Sequence, residues 1–290
     1  MKIAVTGALG LLGFQLHRQL SSRPETEVIS TARPRSAMPS GILDLDITDR
    51  DAIHRFIDKH QPQVIISSAA MTQVDQCETE RDVCWLNNVT SVGYLAEACE
   101  KRNVHLIHLS TDFIFDGTHG PLGETAVPNP VNFYGESKWA SEKIVMQSSC
   151  PWTIIRTVLV YGKPAFPGRS NIVMWVKESL ENKKPIKVVH DQWRTPTFVN
   201  DLATGCILAA EKKATGLYHI SGEEMMTPYE LAVRVAAHFR LDASLITPTD
   251  IHGFQQPAKR PPRTGFNITK AKKELGYKPH SFSEGLSLLG

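Results

Sequence analysis

Val5-Thr6-Gly7-Ala8-Leu9-Gly10-Leu11-Leu12-Gly13 stands between a short apolar run, Lys2–Thr6, and a helical pattern over Gly10–Ser21. Strand, glycine-rich turn and helix in that order make a phosphate-binding turn. Gly7 permits the tight turn. Gly10 removes the side chain where backbone N–H groups approach a pyrophosphate. Gly13 lets helix and strand pack closely, and the helix N-terminus attracts the phosphate charge. A glycine-rich turn without a ligand is the alternative, and the strand-then-helix context argues against it.

The same alternation continues outward. Strands are expected at Lys2–Thr6, Glu27–Thr31, Gln63–Ser67, Val104–Ser110 and Thr153–Thr157. Helical patterns lie between them at Gly10–Ser21, Asp49–His60, Glu78–Arg102 and Glu136–Gln147. Near-continuous apolar strands separated by helices predict an α/β fold: a doubly wound parallel sheet of Rossmann type, covered on both faces. After Gly162 the pattern loosens. Val199–Lys212, Pro228–Arg240 and Thr269–Leu275 read as helices and Leu217–Ser221 as a strand. His119–Asn132 and Gly253–Gly265 are rich in turn residues and read as surface loops. The expected division is a cofactor-binding domain over 1–163, with 191–221 returning to it, and a smaller C-terminal α/β substrate lobe over 164–290.

The chain has 290 residues, 32 Lys and Arg against 30 Asp and Glu, and a net charge of +2. That balance argues against a general nucleic-acid binder. Five cysteines without a C-x-x-C pair suggest free thiols in a reducing compartment. No apolar run approaches a membrane span. The N-terminus has a Lys and an apolar stretch, but its spaced glycines read as structure and not as a leader, so a cytoplasmic location is expected. The histidines, including His105 and His108 within a strand, show no ligand spacing, and no metal is expected.

Three further features carry chemistry. The second strand of such a fold often ends in an acid that binds the adenosine ribose. Counting about 20 residues past the last glycine reaches Arg33 instead. An arginine there can neutralise a ribose 2′-phosphate, which favours NADPH while leaving NADH open; a solvated loop arginine is the alternative. Tyr134-Gly135-Glu136-Ser137-Lys138 is Y-x-x-x-K, a spacing that puts both side chains on one helix face. An ammonium beside a phenol lowers the tyrosine pKa, so Tyr134 can donate a proton to a ketone oxygen. Lys138 can also hold the nicotinamide ribose. Ser110-Thr111-Asp112 ends a strand, which places Thr111 to bond the same oxygen.

Together these residues resemble the extended short-chain dehydrogenase/reductases. Within them, the chain resembles the dTDP-4-dehydrorhamnose reductase family over nearly its whole length. The resemblance rests on TGALGLLG (6–13), LDITD (45–49), AAMTQVDQCE (69–78), STDFIFDG (110–117), YGESK (134–138), DQWRTPTFVNDLA (191–203) and RTGFNITKAKKELGY (263–277). It implies a cofactor site of Gly7, Gly10, Leu11, Leu12 and Gly13 at the phosphate turn. Asp46 and Ile47 would lie at the adenine, and Ala69, Ala70, Met71 and Thr72 on the nicotinamide side. It implies Tyr134 as proton donor with Lys138 beside it, Thr111 and Asp112 against the sugar, and Asn88 in the cofactor site, supporting the active-site helix and relaying protons through water. Without the resemblance, Asp46 reads as a helix-leading cap and Asn88 as a buried polar group.

Two positions depart from the family pattern. Phe113 stands where a Tyr is usual and Leu159 where a Trp is expected to pack on the sugar. Phe113 cannot transfer a proton, which disfavours a dehydratase. Arg194 and Arg260 are candidates to grip a nucleotide diphosphate, or else loop arginines. The expected activity is NADPH-dependent reduction of a nucleotide-linked 4-keto-6-deoxy sugar, with a homodimer allowed for. The alternatives are a sugar-nucleotide epimerase and a non-catalytic dinucleotide-binding partner, since the regulatory beta subunit of methionine adenosyltransferase resembles the same family.

Overall fold

The computed structural model describes residues 1–35, 38–166, 170–253 and 256–290. In chain order, β1 (Lys2–Thr6), α1 (Leu11–Ser21), β2 (Glu27–Ala32), β3 (Ile42–Asp44), α2 (Arg50–His60) and β4 (Val64–Ser67) come first. Then follow α3 (Val74–Thr79), α4 (Arg81–Trp85), a π-helical turn (Leu86–Thr90), α5 (Ser91–Glu100) and β5 (His105–Thr111). A 3-10 turn (Asp112–Ile114) leads toward α6 (Phe133–Gln147) and β6 (Trp152–Thr157).

The second half contains β7 (Val160–Tyr161), α7 (Ile172–Glu181), β8 (Ile186–Val189), β9 (Trp193–Arg194) and β10 (Thr197–Phe198). After these come α8 (Val199–Glu211), β11 (Gly216–His219), α9 (Pro228–Phe239), β12 (Ile246–Thr249), β13 (Arg263–Thr264) and α10 (Phe282–Ser287).

Seven strands form one sheet in the order β11-β6-β5-β4-β1-β2-β3, and every pairing in it is parallel. The expected doubly wound α/β sheet is therefore present. Its direction of winding reverses between β1 and β4, and a crevice opens at the strands' carboxyl ends at such a switch point. One apolar core, with Ile3, Val5, Ile66, Ile107 and Ile155, packs one face beneath α1 and α8. The other, with Ala4, Ile65, Leu106 and Ile154, packs the opposite face beneath α2 and α5. A third core joins α7, α9 and α10 to β8 and β12.

The return to the large sheet after residue 190 is made by α8 and β11, while β9 pairs with β13 and β10 with β7. The C-terminal segment also rejoins the first core, through Phe266, Ile268, Ala271, Leu275 and Tyr277.

Several element boundaries differ from the sequence expectation for physical reasons. The helix expected over Glu78–Arg102 is broken at Glu80, whose φ of −120° and ψ of 55° are not helical, and it widens into the π-helical turn at 86–90. The helix expected from Glu136 begins at Phe133, because the Asn132 side chain accepts from Gly135 N at 2.8 Å and caps it. Thr269–Leu275 contains a π-helical turn at Ala271–Leu275. The two expected surface loops are not free. Leu122 N donates to Gly265 O at 2.7 Å and Asn267 N to Leu122 O at 2.8 Å, and Leu122 and Thr264 are buried. Residues 254–255 of the second loop lie outside the described residues. Among the described residues, no helix is long and apolar enough to cross a membrane.

Candidate active site

A cleft of about 650 Å³ runs along the carboxyl ends of the strands. Its wall begins at the glycine-rich turn. Gly7 has a φ of +72°, and a Cβ there would stand 2.9 Å from the Ala69 backbone. A Cβ on Gly13 would run into the Gly7 carbonyl. Both contacts demand glycine if α1 is to sit this close to β1 and β4. Gly10 caps α1 with no side-chain bond to the first turn, so the helix N-terminus offers backbone N–H groups to a ligand. Gly7, Gly10, Leu11, Leu12 and Gly13 all line the cleft.

Arg33, Asp46 and Ile47 line the same cleft. Asp46 accepts from the N–H and the hydroxyl of Thr48 at 2.9 and 2.7 Å, and Arg33 Nε lies 3.2 Å from its carboxylate. Burial works against this charge, but the two Thr48 bonds and Arg33 outweigh it and hold the carboxyl below its usual range. Arg33 also donates to Asn87 Oδ1 at 2.6 Å and stays exposed. Ala69, Ala70 and Thr72 continue the wall from β4.

Met71 and Asn88 do not line the cleft. Asn88 is buried, accepts from Met71 N at 2.8 Å and donates to Met71 O at 3.0 Å. It also donates to Ser137 Oγ at 3.1 Å. It therefore ties the 69–72 segment to α6 from behind; Met71 and Asn88, both expected in the cofactor site, lie outside the cleft lining.

At the floor, β5 delivers Thr111 and α6 delivers Tyr134 and Lys138, all three lining the cleft. The Thr111 hydroxyl donates to Asp112 Oδ1 at 3.1 Å and accepts from Phe113 N at 3.2 Å. The close approach of α6 depends on Gly135, where a Cβ would strike the Phe113 carbonyl. Gly135 is a residue the sequence reading passed over.

The electrostatics correct one expectation. Burial pushes the Tyr134 phenol up from its usual 10, the Thr111 hydroxyl opposes this, and Asp112 adds to it. The Lys138 ammonium is engaged elsewhere, 3.1 Å from Nε2 of His108. Burial lowers Lys138 to about 8, with Glu142 and Cys84 pulling the other way. The phenol is thus kept protonated.

A second cavity, of about 270 Å³, adjoins the first and shares Phe113, Leu159 and Ile172 with it. Trp175, Lys187 and Gln192 also line it. Leu159 has a φ of +37°, a conformation a side chain resists. Arg194 and Arg260 border this cavity, but their donors are largely spent. Arg194 donates to Trp193 O, Pro261 O and Pro262 O and lies 3.4 Å from Asp112. Arg260 makes two bonds of 2.6 Å to Asp75 and one to Ala258 O. Neither presents the open fork that a diphosphate grip requires, so both expectations are corrected: these arginines hold loops together. Asp112, in turn, is bonded by the Thr264 hydroxyl as well as by Thr111.

The donor set suits a dinucleotide. The side-chain oxygens of Ser67 and Ser110 are buried at the cleft and have no partner. The sequence reading gives neither a role, since a serine at a strand end has no distinguishing spacing. Groups of three His, Cys, Asp or Glu side chains near enough to share a metal do not occur among the described residues.

Residues 1–289 match the family model described as RmlD substrate binding domain. The chain is 34% identical over 268 residues to methionine adenosyltransferase 2 subunit beta from Pongo abelii, covering 88% of this chain and 78% of that one. It is 31% identical over 297 residues to dTDP-4-dehydrorhamnose reductase from Aggregatibacter actinomycetemcomitans, covering 98% and 97%. Its fold superposes with a TM-score of 0.88 on dTDP-4-dehydrorhamnose reductase from Bacillus anthracis str. Ames in complex with NADP, at 28% identity over 99% and 98% of the two chains.

Proposed function

The chain belongs to the RmlD substrate binding domain family, and on that premise we propose that it reduces the keto group of a nucleotide-linked 4-keto-6-deoxy sugar, using NADPH. The observation that carries this reading is the meeting of buried Thr111, Tyr134 and Lys138 at the floor of the dinucleotide-sized cleft.

The turn at 7–13 and the N-terminus of α1 bind the pyrophosphate. Arg33 meets a 2′-phosphate, and Asp46 and Ile47 border the adenine. When bound, the cofactor supplies a hydride to the carbonyl carbon. Tyr134 gives its proton to the carbonyl oxygen, and Thr111 orients that oxygen by a hydrogen bond. Lys138 positions the cofactor ribose and carries a proton toward the phenol. Asn88 keeps the 69–72 segment and α6 in register. Phe113 and Leu159, at the meeting of the two cavities, contact the deoxy sugar, and the second cavity takes the nucleotide. In this assignment, residues 1–163 with the returning α8 and β11 hold the cofactor, and most of 164–290 holds the substrate.

The similarity to methionine adenosyltransferase 2 subunit beta supports a second reading, a dinucleotide-binding regulatory partner. One assay separates the two: oxidation of NADPH with a panel of nucleotide-linked keto sugars. Turnover is expected for the wild type. A loss of roughly 10²–10⁴-fold is expected for Tyr134→Phe, the share of rate that a positioned general acid supplies. Binding of NADPH without turnover of any sugar, together with stoichiometric capture of a partner protein, would favour the regulatory reading. Full activity in Tyr134→Phe would remove the assigned acid.

A further inference from the structure

The Thr264 hydroxyl donates to Asp112 Oδ2, across 152 residues of chain. β13 carries Thr264 and pairs with β9, so that Thr264 stands opposite Arg194. The segment around it is held on both sides. Asn132 Nδ2 donates to Lys259 O at 2.7 Å, Arg263 N to Gly117 O at 3.1 Å and Leu122 N to Gly265 O at 2.7 Å. From the other side, Arg194 donates to Pro261 O and Pro262 O. A Cβ on Gly117 would strike Pro261 and Pro262, so the strap runs tight against the 112–117 turn. Thr264 is fully buried and lines neither cavity. Asp112 is buried too, but it lines the cleft with Thr111 and Tyr134.

The protons of this cluster can be counted. Thr111 Oγ1 accepts from Phe113 N at 3.2 Å and donates to Asp112 Oδ1 at 3.1 Å. A hydroxyl has a single proton, so Thr111 bonded in this way has none left for a ligand. Asp112 Oδ2 is served separately, by the Thr264 hydroxyl and by Arg194 Nε at 3.4 Å. Thr111 can turn its proton away only if the carboxylate it leaves stays satisfied, because a buried charge short of partners is costly. Arg194 cannot make up the difference alone: its contact is long, and its other nitrogens are bonded to backbone carbonyls.

We propose that Thr264 is a positioning residue for the reduction: its hydroxyl, held on Asp112, releases the Thr111 proton to the ketone oxygen of the substrate. This rests on the reductase reading. The Thr111 O–H bond stays intact and only rotates, from Asp112 Oδ1 to the ketone oxygen. The proton that changes owner is still the one on Tyr134.

The hydrogen bond from Thr111 strengthens as negative charge gathers on the ketone oxygen, so its effect falls on the chemical step more than on substrate binding. Thr264 touches neither substrate nor cofactor. It acts through Asp112 and Thr111, and its contribution vanishes when the Thr111 hydroxyl is absent.

The test is steady-state kinetics of NADPH oxidation with the keto sugar, using the full chain. Thr264→Val keeps the outline of the side chain and removes the hydroxyl. It is expected to lower kcat by roughly 10-fold, with KM for the sugar and affinity for NADPH nearly unchanged. Thr264→Ser restores a hydroxyl and is expected to recover most of the rate. In a Thr111→Val background, adding Thr264→Val is expected to cost no further rate. A purely structural Thr264 would cost the same in both backgrounds, and that result would overturn the proposal. So would an unchanged kcat in Thr264→Val, or a Thr264→Ser as slow as Thr264→Val. If Thr264→Val does not fold, Thr264→Ala carries the same comparison. If the wild type turns over no keto sugar, the reductase reading fails, and denaturant unfolding of the wild type, Thr111→Val, Thr264→Val and the double variant decides whether the two hydroxyls share Asp112. A loss in the double variant larger than the sum is expected, since it leaves Asp112 with Arg194 alone; strict additivity would overturn the link.

Discussion

Nζ of Lys138 lies 3.1 Å from Nε2 of His108, and both side chains are buried. Burial, and then the ammonium itself, keep His108 neutral. A neutral ring that accepts at Nε2 carries its proton on Nδ1, and that atom has no partner. Ser141 Oγ, 3.0 Å from Nε2, completes the cluster. The histidine thus acts as a fixed acceptor for the lysine, in place of water.

The stability of the protein should register this burial. Lys138 falls from 10.5 to about 8 on folding, so between those values the unfolded chain binds more protons than the folded one. Stability then rises with pH across that window. Below about pH 8 the folded state bears the full cost of a buried ammonium. Lys138→Met should therefore lose turnover yet be more stable than the wild type at pH 7, by up to about 3 kcal/mol. The gap should close as pH rises toward 10.5. Urea unfolding of both proteins at pH 7 and pH 10 reads the difference, and a gap that does not change with pH would contradict it.

Arg33 is expected to set the choice of cofactor. Its guanidinium spans Asp46 and Asn87 at the edge of the cleft. A bond to a charged group contributes about 1.5–3 kcal/mol, so Arg33→Ser should lower kcat/KM for NADPH by roughly 10–100-fold. The value for NADH should hold or improve. Steady-state kinetics with both cofactors decide it, and equal losses would make Arg33 merely structural.

Gly135→Ala should harm both fold and rate. A methyl group there meets the Phe113 carbonyl, which belongs to the backbone and has little freedom to yield. Overpacking of this kind costs about 1–3 kcal/mol, more than the gain in helix propensity returns. Displacing α6 also parts Tyr134 from Thr111. A fall in Tm with a fall in kcat is expected; a more stable, fully active variant would show that the helix has room.

The strands of the large sheet were legible because each is a run of apolar residues buried on both faces. β3, only three residues with two exposed, carries no such pattern. α7 was missed although Ile172, Val173, Val176 and Leu180 have helical spacing behind an Asn171 cap; the glycine- and proline-rich stretch before it masked the start. The glycine turn and the Tyr–Lys pair could be read because both are local spacings. Thr264 on Asp112 and His108 on Lys138 join distant parts of the chain, which spacing does not encode. The arginines were misjudged for the same reason: an exposed and an internally bonded guanidinium look alike in sequence.

The last of these differences separates two outcomes cleanly. If Arg194 gripped a diphosphate, Arg194→Met would raise KM and leave the fold alone. In the structure Arg194 and Asp112 are both nearly inaccessible, 4% and 2% exposed at their side chains. The arginine also carries three backbone carbonyls from 193, 261 and 262. Removing it strands a buried carboxylate and unties the 259–264 segment from β9. Loss of one partner of a buried pair costs about 3–5 kcal/mol, so Arg194→Met should lower stability by that order before any substrate is added. Adding Asp112→Asn removes the stranded charge and should restore part of the loss, though the carbonyls remain unpaired. Denaturant unfolding of the two single variants and the double variant gives the coupling. Strict additivity would mean that the pair does not act as one unit.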